Sequence, residues 1–126
     1  MNLMAFSPSG RFLIVGNREP ARLRVLDGLV GFRPMMETAT PGIIPTSLAL
    51  ESPTSFLAGF DDGRFISYSI DSNSERLVKG WTNNTLRGAS RVTAMALDET
   101  SQILALVAGP SVFVFSRIPE TGEVFS

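Results

Sequence analysis

The sequence predicts an all-β chain made of three successive four-stranded antiparallel units, and two observations carry that reading. The first is internal repetition. Leu3 to Gly16 (LMAFSPSGRFLIVG), Ser47 to Phe60 (SLALESPTSFLAGF) and Ala94 to Val107 (AMALDETSQILALV) each read as strand, tight turn, strand. The second is the lack of helical periodicity, because eight prolines and eleven glycines break every window long enough to test.

Each element follows in order. The steps from Phe6 to Phe12, from Leu50 to Phe56 and from Leu97 to Ile103 are six residues each, which predicts one common hairpin. Its turn is Ser7 to Arg11 in the first copy, where Pro8 presets φ and Gly10 tolerates the exit. Pro53 and the cluster Asp98 to Ser101 hold the equivalent stretch in the other copies, which puts Glu51 and Asp98 at turn positions. A third strand follows at Leu23 to Leu26, Phe65 to Tyr68 and Val112 to Phe115. A more polar outer strand fits Arg76 to Lys79 in the second copy and falls between Leu29 and Thr38 in the first. The segments Glu37 to Pro45 and Thr82 to Ser90 read as linkers. Phe12 to Val15 and Ile103 to Val107 are continuously apolar, which predicts sheets covered on both faces.

The anchors Phe6, Leu50 and Leu97 give periods of 44 and 47 residues. Periods near 40 to 45 built from strands alone indicate β-propeller blades. The expected architecture is one partial propeller domain over 1–126, with blades at approximately 1–44, 45–90 and 91–126. A ring closes with roughly four to eight blades, so three make an incomplete one with open faces. Glu123-Val124-Phe125 stands where an outer strand of the third blade starts. The expectation is an arc completed by the remaining blades of a longer parent chain or by further copies as a homo-oligomer.

Composition narrows the partners. A net charge of −1 with singly scattered basic residues argues against nucleic acid and against an anionic membrane. The longest clean apolar run, Ile103 to Ala108, is far shorter than the roughly 20 residues of a spanning helix. With no cysteine there is no disulfide framework and no thiolate metal site, which suits the cytosol or nucleus. The five methionines read as core packing.

The stretch AFSPSGRFLIVGNREPARLRVLD, Ala5 to Asp27, resembles the inner hairpin and third strand of the WD-repeat family. Phe6-Ser7-Pro8, Gly10-Arg11, Gly16 and Arg24 to Asp27 fall on that family's pattern, and GFDDGRFISYSID resembles its turn and third strand in the second copy. With no histidine, the family's Gly-His dipeptide and its buried hydrogen-bond network are missing. Leu26-Asp27 replaces the signature Trp-Asp, and Tyr68 and Phe115 take the tryptophan place in the other copies, where a large side chain still packs between blades.

The resemblance implies a non-catalytic scaffold or adaptor that binds a protein or peptide through loops on one rim. It places the contacts at Asn17, Arg18 and Glu19, at Phe60, Asp61, Asp62 and Arg64, and at Arg87 and Arg91. Phe60 and Trp81 are candidate aromatic anchors as well as candidate packing residues. Without histidine or cysteine the usual triads and zinc sites are excluded, and no catalytic, cofactor or metal residue is assigned. Asp61-Asp62 is the one paired acid in a tight turn, and Asp62-Gly63 reads first as turn chemistry. Two rivals stand beside the scaffold: a metal-dependent, lactonase-like propeller hydrolase, and an arc whose self-association is itself the product.

Overall fold

A computed structural model describes residues 3–8, 10–18, 20–31, 33–40, 42–52, 54–71, 73, 76–83, 90–98, 102–117 and 124–125. The strands form three four-stranded antiparallel sheets. Blade 1 holds β1 (Leu3–Phe6), β2 (Phe12–Arg18), β3 (Ala21–Asp27) and β4 (Arg33–Ala39). Blade 2 holds β5 (Pro45–Ser52), β6 (Ser55–Phe60), β7 (Phe65–Asp71) and β8 (Arg76–Asn83). Blade 3 holds β9 (Val92–Asp98), β10 (Ile103–Ala108), β11 (Ser111–Arg117) and β12 (Val124–Phe125). In every blade the strands pair in chain order. A single 3-10 turn, Gly28–Val30, joins β3 to the outer strand.

The blades stack face to face, with the inner strand β5 against both β1 and β9. Two cores result. Phe12, Ile14, Leu23, Val25 and Met36 of blade 1 pack with Phe56, Ala58, Ile66, Tyr68 and Ile70 of blade 2. Ala49, Leu57 and Phe65 of blade 2 pack with Val92, Leu104, Leu106 and Phe115 of blade 3. The rings of Phe56 and Tyr68 stack at 5.5 Å, and Phe65 meets Phe115 at 5.3 Å. Aromatic residues at the family's tryptophan place therefore do pack between blades.

Blades approach so closely near β5 that glycine is required there. A Cβ on Gly59 would lie 2.5 Å from Ser47 Oγ and 2.7 Å from Val92 Cγ1. Thr46 Oγ1 reinforces the same junction, donating to the carbonyl of Gly59 at 3.2 Å and to that of Val92.

The first hairpin forms as its residues require. Gly10 adopts φ +78°, its N–H donates to Ser7 O at 2.8 Å, and the buried Ser7 Oγ accepts from Phe12 N at 3.1 Å. Asp27, at the Trp-Asp position, is buried and accepts from Arg11 Nε at 3.3 Å and from Leu29 N at 2.9 Å. The Arg11 guanidinium, and then the Leu29 amide, hold the Asp27 carboxyl below its ordinary range. Arg11 also sits 4.6 Å above the Phe12 ring, joining turn to core.

Several expectations need correction. The six-residue step holds only in blade 2, where Leu50 faces Phe56; Phe6 faces Leu13 and Leu97 faces Leu104. Cross-strand partners share a face, and Phe12 lies on the covered face while Phe6 lies on the open one. A register irregularity between Leu50 and Ser52 gives blade 2 its different step. That strand also takes in Glu51, which is buried within β5, and Asp98 ends β9, so neither acid is a turn residue.

The linkers are shorter than expected because β4 runs to Ala39, β5 starts at Pro45 and β8 continues through Asn83. Ile103 to Val107 is not covered on both faces: β10 alternates between buried and more exposed positions, as blade 3 has a neighbour on one side. Met36 is core, but Met4 is 71 % exposed.

Candidate functional site

Antiparallel pairing in chain order sends the β2–β3, β6–β7 and β10–β11 turns to one end of the blades, together with the starts of the inner strands. That end is where most of the sequence-derived candidates meet. The turns differ in what they leave available to a partner.

At the β6–β7 turn, Gly63 takes φ +94°, its N–H donates to Phe60 O at 3.2 Å, and Phe60 N donates to Arg64 O at 2.9 Å. Asp62 accepts from Arg64 N at 3.0 Å and from Arg64 Nε at 2.7 Å, so charge and backbone are satisfied inside the turn. Asp61 spans to the preceding linker: its Oδ1 accepts from Ile44 N and its N donates to Ile44 O, both at 3.0 Å. Asp62-Gly63 thus shapes the hairpin, as the turn-chemistry reading expected, while the tie from Asp61 to Ile44 is an addition of the structure.

Phe60 is fully buried in the first core, so it offers no ring to a partner. Asn17 is also buried, with Oδ1 accepting from Arg24 Nε at 2.9 Å, which leaves it orienting a neighbouring side chain. Trp81 is half-buried and packs edge-on against Phe65, ring centroids 6.0 Å apart. Glu19 and Arg87 lie outside the described residues.

The remaining two candidates converge. Arg18 ends β2 and Arg91 precedes β9; both are exposed, and both line one cleft of about 180 Å3 with Leu3, Ile44, Pro45, Thr46 and Thr93. Among the described residues neither arginine has a carboxylate within ion-pair distance, whereas Arg11, Arg22 and Arg64 each have one. The hydroxyls of Thr46 and Thr93 donate to strand carbonyls. The cleft therefore presents an apolar wall of Leu3, Ile44 and Pro45 with two guanidinium groups beside it.

Sequence reasoning missed Leu3, Ile44, Pro45, Thr46 and Thr93. A sequence-level signal was present, since all five lie within one residue of the start of an inner strand. Among the described residues, no group of three or more Asp, Glu, His or Cys side chains converges as a metal site. No helix among the described residues is long and apolar enough to cross a membrane.

No protein-family model matches the sequence, and no curated protein matches it. Solved structures do. A chain of the mitotic checkpoint complex superimposes with a TM-score of 0.71 and 18 % identity, over 90 % of this chain and 36 % of that one. Sqt1 of Saccharomyces cerevisiae matches at a TM-score of 0.70 and 16 % identity, over 96 % of this chain and 34 % of its own. The C-terminal WD40 domain of Sif2 matches at 0.68 and 7 %, over 87 % and 31 %. The chain has the fold of WD40 propeller blades and spans about a third of the length of these neighbours.

Proposed function

We propose that this chain is a non-catalytic scaffold that holds an acidic peptide segment of a partner protein at the rim where its inner strands begin. One observation carries the reading: Arg18 and Arg91, from different blades, flank a single cleft that has an apolar wall. A carboxylate placed between the guanidinium groups accepts charge-assisted hydrogen bonds, and an adjacent apolar side chain covers Leu3 and Pro45. Arg18 at the end of β2 and Arg91 just before β9 have their backbone next to paired strands, which lowers the entropic cost of binding. Asp62 and Arg64 support the rim by closing their own turn. The likeness to WD40 blades agrees with this role but reaches only the fold.

Fluorescence anisotropy with labelled peptides tests it. A peptide carrying paired Glu and Leu residues should bind, and the same peptide with Gln in place of Glu should not. Exposed arginines contribute modestly each, so Arg18→Ala with Arg91→Ala should weaken binding roughly tenfold, and added salt should do the same. Equal binding of the Glu and Gln peptides would overturn the reading.

A further inference from the structure

The two outermost sheet faces are opposite halves of a contact that the chain already makes twice. Strand pairing defines one row of three side chains across each blade: Phe6, Leu13 and Leu26; Leu50, Phe56 and Tyr68; Leu97, Leu104 and Phe115. The second of these rows packs on blade 1 and the third on blade 2. The first has the same bulky character, and no blade among the described residues covers it. Phe6 is 58 % exposed, and Met4, two residues earlier on that face, is 71 % exposed.

The opposite faces repeat as well. Ala5, Ile14 and Val25 form the row that receives blade 2, and Ala49, Leu57 and Ser67 the row that receives blade 3. Their counterpart on blade 3 is Ala96, Ala105 and Val114. Alanine stands at the inner-strand position in all three blades, leaving room for the large residues of the next blade. On blade 3 this face is open: Val114 is 59 % exposed, and Val112, 68 % exposed, lines a shallow apolar hollow of about 150 Å3 together with Ala96 and Ala105.

We propose that the open face of blade 3 takes the open face of blade 1 from a second copy of this chain, head to tail. Two such contacts close a ring. The occupant is argued from continuity with the established interface: the bulky row of blade 1 is built like the rows that blades 2 and 3 insert, and the alanine row of blade 3 like the rows that receive them. Three blades from each of two chains make six, within the roughly four to eight that close a propeller. A heterologous contact that closes after two steps ends the assembly, whereas one that does not close grows without limit. This inference does not depend on the rim cleft.

Sedimentation equilibrium over a concentration series tests it. The expected result is a single species at twice the 13.6 kDa chain mass. Phe6→Glu and Val114→Glu each place a charge in the contact from an exposed position, and each should raise the dimer dissociation constant at least about a hundredfold. Far-UV circular dichroism should stay β-rich in both. Met4→Lys and Val112→Lys serve as second variants on the same faces. Mixing the Phe6→Glu and Val114→Glu chains should recover a dimer, because one intact contact remains between them. A monomer at every concentration would overturn the proposal and leave the faces to blades other than those of a second copy. So would an open series of higher masses, or variants that sediment like the unchanged chain.

Discussion

The second strands of blades 2 and 3 look alike in sequence and live in different surroundings. In β6 every residue from Phe56 to Phe60 is buried, because blade 1 covers one face and blade 3 the other. In β10 only Leu104, Leu106 and Ala108 are buried, and Ile103 is exposed. A continuous apolar run thus records how many faces a strand is built to have covered, while the neighbours actually present set how many are covered. The gap between the two on blade 3, and on blade 1 around Met4 and Phe6, is the observation from which head-to-tail pairing was inferred.

The largest expected effect tests the middle blade against the flank. Phe56 is fully buried and stacked on Tyr68, so Phe56→Ala should cost about 3 to 5 kcal/mol in urea unfolding. Val114→Ala, on the open face, should stay within about 0.5 kcal/mol when the protein is dilute enough to be monomeric. Similar losses at both positions would mean that the flank is covered after all.

Glycine contacts separate the two junctions more finely. A methyl at Gly59 meets Val92 and Ser47 at under 3 Å, whereas one at Gly16 meets Pro45 at 3.1 Å and Leu3 at 3.3 Å. Gly59→Ala should therefore destabilise by about 1 to 3 kcal/mol and Gly16→Ala by less. Thermal unfolding of the two variants ranks the junctions, and the reverse order would break the comparison.

A titration probes the contact between blades 1 and 2. Tyr68 is the only tyrosine, and burial pushes its phenol up to about 12 from 10.0. Folding then binds the proton more tightly than the unfolded chain does, so this contribution is complete below pH 10 and lost as pH rises toward about 12. Ultraviolet absorbance of the phenolate should titrate late in the folded protein and at the ordinary value in urea. A folded-state midpoint near 10 would show that the contact between blades 1 and 2 admits water.

Much of the architecture was legible because β structure writes local signals. Turn residues such as Pro8, Gly10 and Asp62-Gly63 punctuate the chain, and short apolar runs at Leu23 to Leu26, Phe65 to Tyr68 and Val112 to Phe115 mark the third strands. Register was less legible. A one-residue difference separates Phe6 facing Phe12 from Phe6 facing Leu13, and only pairing decides it. The candidate rim was half legible: turn positions could be located, but whether Phe60 and Asn17 point inward depends on packing that no local pattern encodes.

The sequence by itself determined an all-β chain of three blades and the hairpin turns at Ser7 to Arg11 and Asp62-Gly63, since these follow from backbone preferences and periodicity. Only the tertiary structure decided which face of each strand is covered, that Arg18 and Arg91 meet at one cleft, and that Asp61, Asp62 and Arg64 are spent on their own turn. Those outcomes depend on contacts between residues distant in the chain, whose energies exist only once the blades are stacked.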